Sequence, residues 1–410
     1  MKLIQKANRI NELGVTTKQS NAMQELQVYK QIYKIPTIQE NKVVDKEFFE
    51  YCKSKKIFLL LLVYDNDGKV YLKECGVNEF CLPGGEIFDD ETIMKAIKRI
   101  SHNIDKNIVI SDVEPLLFVE NTFSYQSENV KHIGITMMAR SNQKSNDSLY
   151  NRFYYLDKNI LSKVNVFSNR NILEIYRTRL DDILNQNNGE FQDKEIETNK
   201  KYKWRYKFHN NFVKRFILTS RVKRKNKLQS IMIHKCMGCR RLIDVSCGDN
   251  SLIFSLINTE QGKSIDYVIA NDISWSQIEL IPKMDKVIFT NHNAITFPFK
   301  DNIFDFVYCS NTLHHMPNYE SLQNLLESLL RIGKKVVIYE IEDPAFTGGL
   351  PYILNKYWYR GFLKDVGEQY LSYKQFRKII NTAYKNKASI KFETFKNIQG
   401  NYMIAEIEKQ

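Results

Sequence analysis

The stretch that decides the fold is Leu242-Ile-Asp-Val-Ser-Cys-Gly-Asp-Asn250. Its apolar residues Leu242, Ile243 and Val245 suit a short buried strand, and small residues, Ser246 and Gly248, follow in a tight turn. Such a turn lets backbone approach whatever sits at the carboxyl end of the strand, where open α/β sheets hold their ligands. The pattern repeats outward. Residues 267–271 read as a second strand closed by Asn271-Asp272, and 287–290 as a third followed by Asn291-His-Asn-Ala294. Residues 304–309 and 335–340 read as a fourth and a fifth, and helical stretches at 274–281 and 319–331 lie between strands. Strand–helix alternation predicts a parallel sheet with helices on both faces. The end differs: 389–395 and 402–407 alternate and are joined by Gln399-Gly-Asn401, which predicts an antiparallel hairpin at the sheet edge.

The strand ends carry the chemistry. A carboxylate at Asp272 can accept both hydroxyls of a ribose, or simply cap the helix that follows. An Asn amide in 291–294 can reach an adenine edge. Phe297-Pro-Phe299 comes next, then Asp305-Phe-Val-Tyr-Cys-Ser-Asn-Thr-Leu-His-His315. This ordered set resembles the class I S-adenosylmethionine (SAM)-dependent methyltransferases, whose fold is Rossmann-like. Their first motif reads acid-x-G-x-G-x-G, an acid ends the second strand, and a D-A pair, L-P-F and an L-H-H turn follow. The resemblance covers about 204–410. Ser246 and Asn250 stand where the family has its first and third glycines, and Asn293 stands for the acid of the D-A pair.

The resemblance implies SAM as cofactor, bound by Asp244, Ser246, Gly248, Asp272, Ile273, Asn293 and Ala294. His314 and His315 are candidate bases, or residues that position the turn. Glu340, closing the fifth strand, faces either the acceptor or solvent. Methyl transfer asks mainly for alignment, which can supply on the order of 7–11 kcal/mol, so no motif names the acceptor. The aromatic-rich stretch 344–376 is the expected acceptor wall, and it suits an organic molecule.

The first half reads differently. Residues 57–64 form an apolar strand, Asp65-Asn-Asp-Gly68 a turn, and 69–73 a return strand. Cys81-Leu-Pro-Gly-Gly85 is a loop, and 91–103 a helix with Ile93, Ala96, Ile97 and Ile100 on one face. Strands at 113–119, 132–139 and 152–156 and a helix at 168–184 follow. Gly85, Glu91 and Arg99 stand in the register of the box of the Nudix hydrolases, which the region 45–185 resembles. That resemblance implies an α/β/α sandwich. The box closes on R-E-U-x-E-E (U aliphatic), whereas this chain has Arg99-Ile-Ser-His-Asn-Ile104. Ile100, Asn103 and Ile104 replace the carboxylates, and a hard cation wants oxygen ligands. The expectation is therefore a Nudix-like scaffold without metal or ordinary hydrolase activity. Glu86, Asp89, Asp90 and Glu91 are the residues from which a relocated metal site would be built.

Bulk properties set the frame. A chain of 410 residues exceeds one core at roughly 150 residues per domain. The expected division is an arm at 1–44, the Nudix-like domain at 45–185, an Asn/Gln/Glu-rich linker at 186–203 and the methyltransferase domain at 204–410. No run approaches the roughly 20 apolar residues of a membrane span, and the first residues lack a secretory core, so a cytoplasmic protein with no membrane partner is expected. Seven scattered cysteines point to reduced thiols. Cys236-x-x-Cys239 lacks the second ligand pair of a zinc site. The net charge of +13 is concentrated: from Lys200 to Arg241 there is no acid, while Trp204, Phe208, Phe212, Phe216 and Ile217 make a helical stripe that suits packing. The expected acceptor is a small molecule or biosynthetic intermediate, and an anionic one would suit this charge. The rival is a nucleic acid docked along 200–227. A hydrolase with a relocated metal site and a non-catalytic binding protein are the further alternatives.

Overall fold

The computed structural model describes residues 21–54, 57–76, 79–105, 108, 110–141, 152–164, 167–178, 228–248, 251–273, 284–343, 370–397 and 400–410. The linker at 186–203, the basic segment 200–227 with its aromatic stripe, Asn250, the helix at 274–281 and the part of the acceptor wall at 344–369 lie outside them.

The first half contains α1 (Asn21–Ile32), β1 (Thr37–Val43), α2 (Lys46–Ser54), β2 (Ile57–Tyr64), β3 (Val70–Tyr71), β4 (Lys73–Gly76), β5 (Glu79–Cys81), β6 (Gly84–Glu86), α3 (Ile93–Ile104), β7 (Ile110–Tyr125), β8 (Glu128–Ser141), β9 (Phe153–Tyr154), α4 (Lys158–Ser162) and α5 (Phe167–Thr178). Its mixed sheet has the order β1-β7-β8-β2-β3-β9, with β6 also on β2. The apolar run of β2 is explained by its place: it is paired in the sheet with β8, β3 and β6, and its two faces enter different apolar clusters, Leu59, Leu61 and Val63 in one and Leu62 in the other, all fully buried. Helix α3 is capped by Thr92, whose hydroxyl accepts from Lys95 N at 3.2 Å. Ile93, Ala96, Ile97 and Ile100 face the core, as their spacing predicts. The three residues that stand for the box carboxylates do not share one face: Ile100 is 3% exposed in the core, Ile104 is half-buried and Asn103 is exposed to solvent.

The second half contains β10 (Arg241–Asp244), α6 (Ser251–Ile257), α7 (Glu260–Ser264), β11 (Tyr267–Asn271), β12 (Val287–Thr290), β13 (Phe304–Ser310), α8 (Tyr319–Ile332), β14 (Gly333–Ile341), α9 (Tyr373–Tyr384), β15 (Ala388–Asn397) and β16 (Gly400–Lys409). The sheet order is β12-β11-β10-β13-β14-β16-β15. The first five strands are parallel, and β16 runs antiparallel between β14 and β15. The chain builds outward from β10 to β12, then returns to β13 on the other side of β10. That reversal makes a topological switch point at the carboxyl ends of β10 and β13, the place for a ligand in such sheets. Helix α8 buries Leu322, Leu325, Leu326, Leu329 and Ile332, a 3–4 spacing that puts one stripe on the sheet. Each such side chain contributes roughly 1.5–3 kcal/mol.

At the opposite end of the sheet, Asp305 clasps three strands. It accepts from Arg241 N at 3.1 Å and Arg241 Nη2 at 2.8 Å, and from Lys334 Nζ at 3.1 Å. Burial alone would raise its pKa, but these partners outweigh burial and hold the carboxyl well below the usual carboxylate range. A depressed carboxylate adds stability that is present above its unfolded value, about pH 4, and is lost as pH falls below it. Asp305→Asn should therefore lower the melting temperature at neutral pH, by an amount that shrinks in acid. Thermal melts of both proteins across that range check this; a difference independent of pH would exclude the ionic clasp.

Residues 21–44, which the sequence sets apart as an arm, are built into both halves. β1 pairs in parallel with β7. Helix α1 turns Glu25 to the first half, where its Oε2 accepts from Ile93 N at 2.7 Å. The helix and the residues after it also meet the second half: Tyr29 Oη donates to Phe289 O at 3.3 Å, Lys300 N donates to Ile32 O at 2.8 Å, and Tyr33 bridges Phe299. A further bridge joins Val113 to Asn291. The two halves thus share one continuous apolar core.

Candidate active site

The turn after β10 is fixed before any ligand is considered. Val245 N donates to Tyr308 O at 2.8 Å and Cys247 N to Asn271 O at 2.9 Å. Gly248 takes a positive φ of +51°, and among the described residues nothing would lie within 4 Å of an added Cβ. The left-handed backbone explains why glycine survives here. Gly248 N donates to Asp272 Oδ2 at 2.9 Å, so the acid that ends β11 is tied to the turn that ends β10. Asp244 is 5% and Asp272 8% exposed; Ser246 and Ile273 are half-buried.

Asn271 holds the neighbouring loops together, a role the sequence did not reveal. Its Nδ2 donates to Val245 O and His292 O, both at 3.0 Å. Its Oδ1 accepts from Thr290 Oγ1 and His292 N, both at 2.9 Å. All four bonding positions of this buried amide are used. Asn291 does similar work: Nδ2 donates to Asp272 O at 2.8 Å and Ile273 O at 2.9 Å. Asn291 Oδ1 is buried with no hydrogen-bond partner among the described residues. Asn293 Oδ1 accepts from Ile295 N at 3.0 Å and caps the single turn Ala294–Thr296. Asn293 and Ala294 are half-buried. The seven cofactor candidates thus lie on three successive strand ends, which the hydrogen bonds of Asp272, Asn271 and Asn291 draw together. The orphaned Asn291 oxygen and the open backbone at Gly248 suit a polar, nucleoside-bearing ligand.

His314 and Glu340 form a buried pair. His314 Nδ1 lies 2.7 Å from Glu340 Oε1, and the two side chains are 5% and 0% exposed. Glu340 also accepts from Leu313 N (Oε2) and Ile341 N (Oε1), each at 2.9 Å. It is therefore neither solvated nor open to an acceptor, the two alternatives the sequence offered. Its three contacts compensate a burial that would otherwise be very costly. Tyr370 stacks on the His314 ring, with centroids 4.8 Å apart and planes at 16°. His315, beside it, is exposed. Burial pushes the Cys309 and Cys236 thiols up to about 12, so neither of these two is activated.

In the first half, both oxygens of Glu91 are taken by Arg99, from Nε at 2.9 Å and Nη2 at 2.7 Å. Arg99 Nη2 also donates to Glu86 O at 2.7 Å, and the guanidinium lies over Phe88. This clamp fastens the 84–91 loop to α3. Among the described residues no cluster of three His, Cys, Asp or Glu is placed to hold a metal.

The strand order sets the glycine turn after β10 beside the acid that closes β11, at the switch point where such sheets hold ligands. Comparison with known proteins agrees: residues 243–338 match the family described as a methyltransferase domain. Demethylmenaquinone methyltransferases of Bacillus cereus (strain AH187) and Bacillus anthracis (strain A0248) are each 26% identical over 113 residues, 26% of this chain and 47% of theirs. The chain spans about half the length of the curated relatives it matches. Among solved structures, magnesium protoporphyrin IX methyltransferase from Synechocystis PCC 6803 with bound SAH is similar at a TM-score of 0.36. The identity is 17%, over 50% of this chain and 89% of that one. Residues 243–338, in the second half, therefore match a methyltransferase domain. No helix among the described residues is long and apolar enough to cross a membrane.

Proposed function

We propose that the chain acts in the cytosol as a SAM-dependent methyltransferase on a small organic acceptor or biosynthetic intermediate, an anionic one suiting the basic run at 200–227. The observation that carries this is the Asp272–Gly248 contact at the switch point, which sets an acid and a glycine turn side by side. Asp272 would hold the ribose hydroxyls, Ser246 and Gly248 the amino-acid end, and Ile273, Asn293 and Ala294 the adenine, with Asp244 beneath the turn. Bound SAM supplies a methyl group on a sulfonium, which needs only an aligned nucleophile. Glu340 accepts from His314 Nδ1 and so makes Nε2 the basic nitrogen, oriented to take a proton from the acceptor as the new bond forms. Tyr370 braces the ring. The Bacillus relatives are demethylmenaquinone methyltransferases, and their quinone-type acceptor supports a small molecule over a polymer.

The first half, 45–185, is read as a Nudix-like scaffold without ordinary hydrolase activity. What supports this is the Arg99 clamp on Glu91, which spends the remaining box carboxylate on structure. The domain limits 204–410 for the transferase and 186–203 for the linker belong to the same reading.

The test is to incubate the full chain with methyl-labelled SAM and fractionated cell extract. Label is expected in the small-molecule fraction. Label in nucleic acid, with binding that persists at about 0.15 M salt where phosphate contacts are normally weakened, would promote the rival instead.

A further inference from the structure

The loop that carries Asn293 and Ala294 is backed by the other half of the chain. His292, which precedes them, is 2% exposed, and its Nε2 lies 2.6 Å from the Tyr33 hydroxyl. The ring packs edge-on against Tyr33 and Phe299, with centroids at 5.5 and 5.3 Å. Burial pushes its pKa down to about 3, so the imidazole is neutral and its bond to Tyr33 does not depend on pH near neutrality. The His292 main chain is held on both sides by the Asn271 amide. One residue earlier, Asn291 forms its backbone bridge to Val113 in β7. The strand-end loop is therefore gripped from within by Asn271 and from behind by two elements of the first half. Tyr33 itself is 1% exposed and fixed by Tyr29, Phe299 and the bridge beside it.

We propose that Tyr33, carried just beyond α1, is a positioning residue for the cofactor site, and that the first half supplies the back wall of the adenine loop. The proposal rests on the reading of Asn293 and Ala294 as cofactor contacts. The physical reason is preorganisation. A loop held in its binding shape does not lose freedom when the ligand arrives, whereas a loose one must. Removing the Tyr33 hydroxyl leaves His292 Nε2 without its bond in a dry site, so the ring and the two residues after it are free to shift. Tyr33 touches no ligand and acts through His292. It also ties the methyltransferase half to α1, so the first half is part of the site and not a passenger.

The test uses the full chain and reads SAM affinity by calorimetry alongside the melting temperature. Tyr33→Phe keeps the ring and removes only the hydroxyl; it should weaken SAM binding about tenfold, the order expected for one buried bond. Tyr29→Phe is the control. It removes a hydroxyl, one turn earlier in α1, that bonds to Phe289 O within β12 and not to the loop, so it should lower the melting temperature and leave SAM affinity within about twofold. If Tyr33→Phe binds SAM like wild type, or if Tyr29→Phe weakens binding as much, the proposal is overturned. If Tyr33→Phe melts too early to assay, His292→Phe cuts the same bond from the other side and is judged by the same criterion. Absence of SAM binding by the wild-type chain would sink the underlying reading, an outcome distinct from a wild type that binds and a Tyr33 variant that binds equally.

Discussion

Glu340→Ala should lower turnover by roughly 10²- to 10⁴-fold, the range for losing a positioned general base. In the proposed role the carboxylate acts through His314, whose Nδ1 lies 2.7 Å from Glu340 Oε1. Without it the imidazole can carry its proton on either nitrogen and lean off the Tyr370 ring. The fold pays as well, because Leu313 N and Ile341 N lose their acceptor, and each buried orphan costs about 1–3 kcal/mol. A drop in activity from Ala alone is therefore ambiguous. Glu340→Gln resolves it: volume is kept, but an amide cannot accept along all three contacts at once. The expected pattern for Gln is a modest fall in melting temperature, SAM affinity close to wild type and a large fall in kcat. Full kcat in a folded Gln variant would remove His314 and Glu340 from the chemistry and leave alignment alone to account for the rate.

Asp272→Ala is the second large effect. SAM binding should weaken about ten- to a hundredfold, since a hydrogen bond to a charged group is worth roughly 1.5–3 kcal/mol. Two losses add here. On the proposed reading the ribose loses its acceptor, and Gly248 N loses the carboxylate that orders the turn. Asp272→Asn separates them, because the amide oxygen can still accept from Gly248 N while the charge is gone. Binding by Asn should fall between wild type and Ala. Calorimetry gives the three affinities, and an unchanged value for Ala would refute the assignment of this acid.

How much of this was legible in the sequence depends on where each residue's partner lies. The parallel strands could be read because each is a short apolar run between helical stretches, and burial on both faces explains such runs. The terminal hairpin, Ala388–Asn397 with Gly400–Lys409, showed as alternation. Glu340 was visible only as an acid ending a strand; two of its partners, Leu313 N and His314, sit in the turn after a different strand, so burial could not be inferred. Asn271 looked like ordinary strand-end polarity, although all four of its bonds cross to other segments. Ala22, Leu26, Tyr29 and Tyr33 do fall on one helical face, but the surface that face meets is encoded far downstream. A reading of local periodicity sees such a helix as a polar lead-in.

That separation has a consequence for how the molecule is made. Tyr33 and His292 are 259 residues apart. A ribosome adding roughly 5–20 residues per second needs on the order of 13 to 50 seconds to supply the second after the first. Through that interval the sheet of the first half can close, since β1, β2, β7 and β8 are all present, while Tyr29 and Tyr33 have no complete partner surface. The nascent chain therefore carries an exposed aromatic stripe until β12 and Phe299 emerge. Native contacts so far apart in sequence also slow folding, because the chain entropy of closing the loop is lost before the contact repays it. Refolding that lags behind formation of the first sheet is the expected cost of placing a helix early in the chain against a surface completed so much later.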